Sequence, residues 1–106
     1  MGDRSQIPTY APLLNYLEQN GVDLSAAGSA ERGLPLASAL EFLKLLEDRN
    51  VQVLGVEPWR RERASYRCDA LGVLATTGGA DTAEQARQHL FHLKLQADDL
   101  VSVQYR

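Results

Sequence analysis

The chain has 106 residues, 44% of them hydrophobic and 24% charged, with a net charge of −3 at neutral pH. That is enough for one domain burying roughly two-thirds of its unfolded surface without metal or crosslinks. The mild acidity gives no reason to expect nucleic-acid binding but permits a basic protein partner.

The single cysteine, Cys68, excludes an internal disulfide and fits a reducing compartment. No apolar run nears the ~20 residues of a membrane span, and the start MGDRSQIPTYAPLL lacks a signal-peptide core, so the cytoplasm is the expected location. Gln6 stands where a myristoylation signal would carry Ser or Thr.

In chain order, Met1 to Thr9 read as a loose polar arm. A helix of about three turns follows, with Pro12 near its start and Tyr10, Leu13, Leu14 and Leu17 at helical spacing. Gly21 is expected to take the left-handed stop, with Val22 packing back on Leu17. Asp23 to Gly33 is small and polar, a loop long enough to be either functional or loosely held. Its acid Glu31 has two readings, as a charge favouring the next helix N-terminus or as a functional group.

The segment LPLASALEFLKLLEDRN is the central element. At 100° per residue, Leu36, Ala39, Leu40, Phe42, Leu43, Leu45 and Leu46 fill one broad arc opposite Glu41, Lys44 and Asp48. Pro35 suits the first turn and Asn50 a left-handed C-terminal stop. The helix runs directly into VQVLGVEPW, an inner strand with Val51 and Val53 on one face and Leu54 and Val56 on the other. Pro58 is expected to end its ladder, leaving Glu57 and Trp59 at the exit.

Arg60 to Arg63 then read as a charged turn, and Tyr66 to Ala75 as the returning hairpin strand. The arginines could grip phosphate, but nothing extends them into a stripe. TTGGA lacks the lysine and spacing of a phosphate-binding loop. A third helix starts at Asp81 or Thr82 with Glu84 or Gln85 completing a capping box, and buries Ala83, Ala86, Leu90 and Leu93. Phe91 and Leu95 fall on its other side, a contact surface if exposed. LVSVQY closes the chain as a half-buried strand. The fold class is therefore α+β: a small single domain over 1–106, about three helices on a mostly antiparallel sheet of three or more strands.

Chemistry-bearing clusters are sparse. His89 and His92 are three apart on one helix, short of the ligands zinc needs, and read as helix-surface histidines. Cys68 alternates with Tyr66 and Ala70 as a buried, inert thiol would. Glu57 and Asp69 could pair across the hairpin, but no cleft accompanies them. No enzyme, metal or cofactor is expected.

The pattern from Leu13 to Asp69 resembles the immunity protein 40 family of bacterial polymorphic toxin systems. That family shows a short helix, Gly-x-x-Glu-x-Gly-Leu, an apolar helix, Ile-Leu-Gly-Gly-Asp-x-Tyr, and Asp-Asn-Trp after a hairpin. The corresponding residues are Gly28, Glu31, Gly33 and Leu34, then Val53 to Trp59 with Glu57 as the acid and Trp59 as the aromatic, then Asp69. Val56 replaces the second glycine, and Ala70 and Leu71 replace the Asn-Trp pair.

The resemblance implies a non-enzymatic protein that neutralises a cognate toxin by occluding its active or substrate-binding surface. Trp59, Arg60, Arg61 and Tyr66 supply the aromatic and arginine anchors such interfaces use, with Glu31, Glu57 and Asp69 as acidic partners. Trp59 could equally belong to the core, and Glu57 and Asp69 could bond Arg67 or the backbone across the hairpin. Two other functions compete: a homodimeric adaptor joined through an edge such as the last strand, and a small-ligand or enzymatic domain with a pocket near Cys68 and His89.

Overall fold

The computed structural model describes residues 7–106, with side chains from residue 11 onward. Among them are three helices, α1 (Ile7–Asn20), α2 (Leu36–Asp48) and α3 (Thr82–His92), and six strands. The strands are β1 (Val22–Asp23), β2 (Arg32–Gly33), β3 (Val53–Glu62), β4 (Ser65–Cys68), β5 (Leu74–Ala75) and β6 (Leu100–Tyr105). Short β1 and β2 form one antiparallel sheet. In the other, β3 pairs antiparallel with β6 on one edge and with β5 and then β4 on the other. The α+β class is as read from the sequence.

Helix α2 is central, packed against α1, α3 and β6. Ala39, Phe42, Leu43 and Leu46 are buried, with Leu36, Leu40 and Leu45 packed at the margin. They meet Leu13 of α1, Ala83, Ala86 and Leu90 of α3, and Val53, Val56, Val101 and Val103 of the sheet. Phe42 stacks on Tyr16 and meets Tyr105 edge-on, with ring centroids 5.7 and 5.5 Å away. The helix ends as a Schellman motif: the N–H of Asn50 donates to Glu47 O (3.1 Å) and that of Val51 to Leu46 O (2.9 Å), with Asn50 at φ 56°.

The N-terminal expectations need correction. Helix α1 begins at Ile7, inside the expected arm; residues 1–6 lie outside the described ones. Pro12 sits well within the helix on an exposed face, where water can replace the bond its missing N–H cannot make. Gly21 does not take the left-handed conformation, and Val22 is exposed in β1 rather than packed on Leu17. Gly21 serves close approach instead, since a Cβ there would lie 2.5 Å from Leu17 O and 2.9 Å from Arg32 Cβ. The expected loop 23–33 is partly ordered, carrying one 3-10 turn (Ser25–Ala27) and strand β2.

In β3 a register shift between Val53 and Gly55 makes Leu54 the extra residue, 42% exposed. The bulge turns Val53 and Val56 toward the same core, so the expected opposition of faces is lost. Thr82 Oγ1 accepts from the Val53 N–H (3.0 Å), and Thr76 Oγ1 donates to Val53 O (2.6 Å), pinning it.

Pro58 does not end the ladder, which runs through Glu62. Its carbonyl accepts from Asp69 N–H (2.9 Å), so its ring nitrogen faces the same edge. There a 3-10 turn (Ala70–Gly72) separates β4 from β5, and the opposing carbonyl, Asp69 O, accepts from Gly72 N–H (2.9 Å) instead of needing a donor at position 58. The expected turn at 60–63 narrows to Arg63 and Ala64, with Arg63 at φ 58°, so Arg60 and Arg61 are strand residues. The expected return strand 66–75 is divided by the same 3-10 turn.

Helix α3 starts at Thr82 as expected, but no side-chain capping box forms at Asp81. Gln85 Nε2 instead donates to the Asp81 carboxylate (3.0 Å), and its Oε1 accepts from Thr77 N–H (3.0 Å). Phe91 is exposed, while Leu95 lies beyond the helix end and packs on the core.

Candidate functional site

Alternation along β3 sends Glu57, Trp59 and Arg61 to one face and Pro58 and Arg60 to the other. The first face lies away from the helices and is partly roofed by the 24–31 segment: Leu24 and Ala27 pack with Trp59, Leu100, Tyr66 and Cys68. Trp59 is 7% exposed, which decides in favour of core burial, and its indole N–H donates to Ser102 Oγ (3.0 Å).

From Ser102 the polar chain continues along this face. Ser102 Oγ donates to Glu57 Oε1 (3.3 Å), and Gln104 Nε2 donates to Glu31 Oε2 (2.8 Å) and Glu57 Oε1 (3.3 Å). The register Glu57↔Ser102 and Gly55↔Gln104 sets this meeting, and Glu31 arrives from the segment overhead. Glu31 therefore bonds β6 rather than serving the α2 N-terminus. Burial, reinforced by the Glu57 carboxylate, pushes its pKa above the ordinary carboxylate value despite Gln104.

Higher on the face, Arg61 lies over the Tyr66 ring, Cζ to centroid 5.2 Å, and Nη1 donates to the Tyr66 hydroxyl (3.1 Å). Arg61 is exposed and Tyr66 half-buried.

Arg60 and Asp69 belong to a separate network. Arg60 Nε pairs with Asp69 Oδ2 (3.1 Å), and its Nη1 with Asp99 Oδ2 (3.0 Å) and Lys94 O (2.8 Å). Asp99 also accepts the N–H groups of Arg61 (2.9 Å) and Gln96 (2.8 Å). Burial alone would raise its pKa, but these donors together outweigh that and hold it below the ordinary value. This knot ties β3 to the loop entering β6. Arg67 pairs instead with Glu62, both exposed.

The seven residues singled out in the sequence thus fall into an acid pair (Glu31, Glu57) next to Trp59, an exposed cation–aromatic pair (Arg61, Tyr66), and a tie (Arg60, Asp69). Ser102, Gln104 and Asp99 were not singled out. The polar positions of LVSVQY hint at the first two, but only the strand register shows what they meet.

Burial foremost, then nearby carboxylates, raises the Cys68 thiol's pKa and leaves it a poor nucleophile. His89 Nε2 donates to Gly72 O and His92 Nδ1 to Gln88 O, each at 2.6 Å. Three surface depressions are lined by residues other than Cys68 and His89. Among the described residues no group of three or more His, Cys, Asp or Glu could hold a metal, and no helix is long and apolar enough to cross a membrane. Compared with protein-family models, curated proteins and solved structures, the chain has no significant match in any of the three.

Proposed function

We propose that this chain is an immunity protein that binds a cognate toxin made by the same cell and covers its active or substrate-binding surface. One observation carries the reading. Glu31 and Glu57, the acids of two separate motif elements, converge on the Gln104 amide, and no described cation of this chain forms an ion pair with either.

On the same face the Arg61–Tyr66 pair offers an aromatic and arginine anchor of the kind that dominates protein interfaces. Its backing is rigid, because Trp59 and Leu100 are fixed beneath Leu24. The contact is a protein–protein one without turnover, and it takes place in the cytoplasm, where the free Cys68 stays reduced.

Affinity capture from the source cells, followed by expression of the co-purifying protein, tests the proposal. The expected partner is stoichiometric, arrests growth alone and is harmless beside this chain. Recovery of the bait alone, with the neighbouring genes demonstrably expressed, refutes it. Arg61→Ala and Glu57→Gln should each weaken the complex while leaving the thermal transition nearly unchanged. The competing homodimeric adaptor has one observation in its favour: Leu34 pairs with β6 only at Val101, leaving part of that edge open. A mass that doubles with concentration would favour it.

A further inference from the structure

Beside the acid pair, β6 has an incomplete outer edge. Val101 exchanges both backbone hydrogen bonds with Leu34 (2.7 Å each) on the side away from β3. Two residues on, the N–H and C=O of Val103 face the same way, and among the described residues they have no partner. The 30–32 segment diverges here, turning to pair Arg32 with Asp23. The gap is a groove of about 350 Å³ whose lining includes Leu14 and Leu17 from α1, Val103, and the charged Glu18, Glu31 and Arg32.

We propose that this groove receives an extended segment of the protein partner, added as a short strand against Val103 and carrying an arginine or lysine directed at Glu31. The proposal rests on the reading of the chain as a partner-binding protein and specifies the chemistry recognised. Strand addition satisfies the open N–H and C=O of Val103, as at other exposed sheet edges. Charge complementarity chooses the side chain: Glu31 is half-buried beside a second carboxylate, with Glu18 also on the groove wall. The aliphatic stem of a lysine or arginine suits Leu14 and Leu17, with its charged end at the acids.

The probe is the capped tripeptide acetyl-Val-Arg-Val-amide, titrated into the full chain and followed by amide NMR shifts. Saturable shifts should centre on Val103, Arg32 and Leu17. The glutamine counterpart, and the arginine peptide on Glu31→Gln, should each bind about tenfold more weakly, as for loss of one charge-assisted contact. A peptide N-methylated at its central residue should lose most of its affinity, because it cannot donate to the edge.

Equal shifts from the arginine and glutamine peptides overturn the charge assignment, and no localised shift overturns the site. Concentration-dependent dimerisation that blocks the same amides assigns the edge to a second copy and also overturns the proposal. The titration needs no toxin, so its failure leaves the immunity reading standing, and a missing toxin leaves the groove result standing.

Discussion

Asp99 should be among the costliest polar residues to remove. Its side chain is 3% exposed and accepts from Gln96 N–H, Arg61 N–H and the Arg60 guanidinium at 2.8, 2.9 and 3.0 Å. Asp99→Ala strands two backbone donors and takes from Arg60 one of its three partners, leaving Asp69 and Lys94 O. Breaking a buried ion pair from one side costs about 3–5 kcal/mol. Arg60 keeps Asp69 and is 25% exposed, so water relieves part of the loss. The lower end applies, about 3 kcal/mol, against a total stability of roughly 5–15 kcal/mol for a domain.

At about 4–8 °C per kcal/mol, that is a fall in Tm on the order of 12–24 °C. Asp99→Asn keeps one acceptor oxygen and should lose about half as much. Urea unfolding followed by far-UV circular dichroism measures both, with the slope expected to stay constant. A loss below about 1 kcal/mol in Asp99→Ala at constant slope would refute the assignment of the knot as a structural tie.

The same residue fixes a pH dependence. Its folded pKa lies below the ordinary 3.8, so its contribution is complete above that value and is lost as pH falls through the folded pKa. The wild-type advantage over Asp99→Asn should therefore shrink as the pH is lowered from about 4.

Glu31 behaves oppositely: its folded pKa is raised, so ionisation opposes folding above that value and the penalty fades as the pH drops toward the ordinary 4.5. Glu31→Gln should be at least as stable as wild type at pH 7, with the gain vanishing in acid, as thermal melts at both pH values would show. Asn50→Ala must hold φ 56° without a side chain suited to it and should lose about 1–2 kcal/mol in urea unfolding, whereas Asn50→Gly should be near neutral. Gly55→Ala would drive a Cβ into the Leu74 carbonyl oxygen and should separate β5 from β3, exposing the Val56 amide to faster hydrogen exchange. The fluorescence of Trp59, the chain's one tryptophan, should shift to the red on unfolding, because the ring is buried in the native state.

Individual residues show what was legible from sequence. The apolar arc of α2, its stop at Asn50 and the Ala83, Ala86 and Leu90 part of the α3 seam express periodicity and local backbone preference and stand in the structure, whereas Leu93 falls just past the end of α3 and LVSVQY is a strand buried on both faces from Leu100 to Val103 rather than half-buried. Signals open to two local meanings failed: Gly21 served close approach rather than a left-handed stop, and Pro58 stayed within a ladder instead of ending it.

The sequence by itself determined the fold class and the central helix, because period and turn chemistry act over a few neighbouring residues. Tertiary structure decided that Trp59 is buried on Ser102, that Arg60 is shared by Asp69 and Asp99, and that Glu31 and Glu57 share one amide. Those outcomes depend on the β3–β6 register and on the one-residue bulge at Leu54, which determines the face each later β3 side chain takes. Register is set by the pairing of segments far apart in the chain, and no local spacing encodes it.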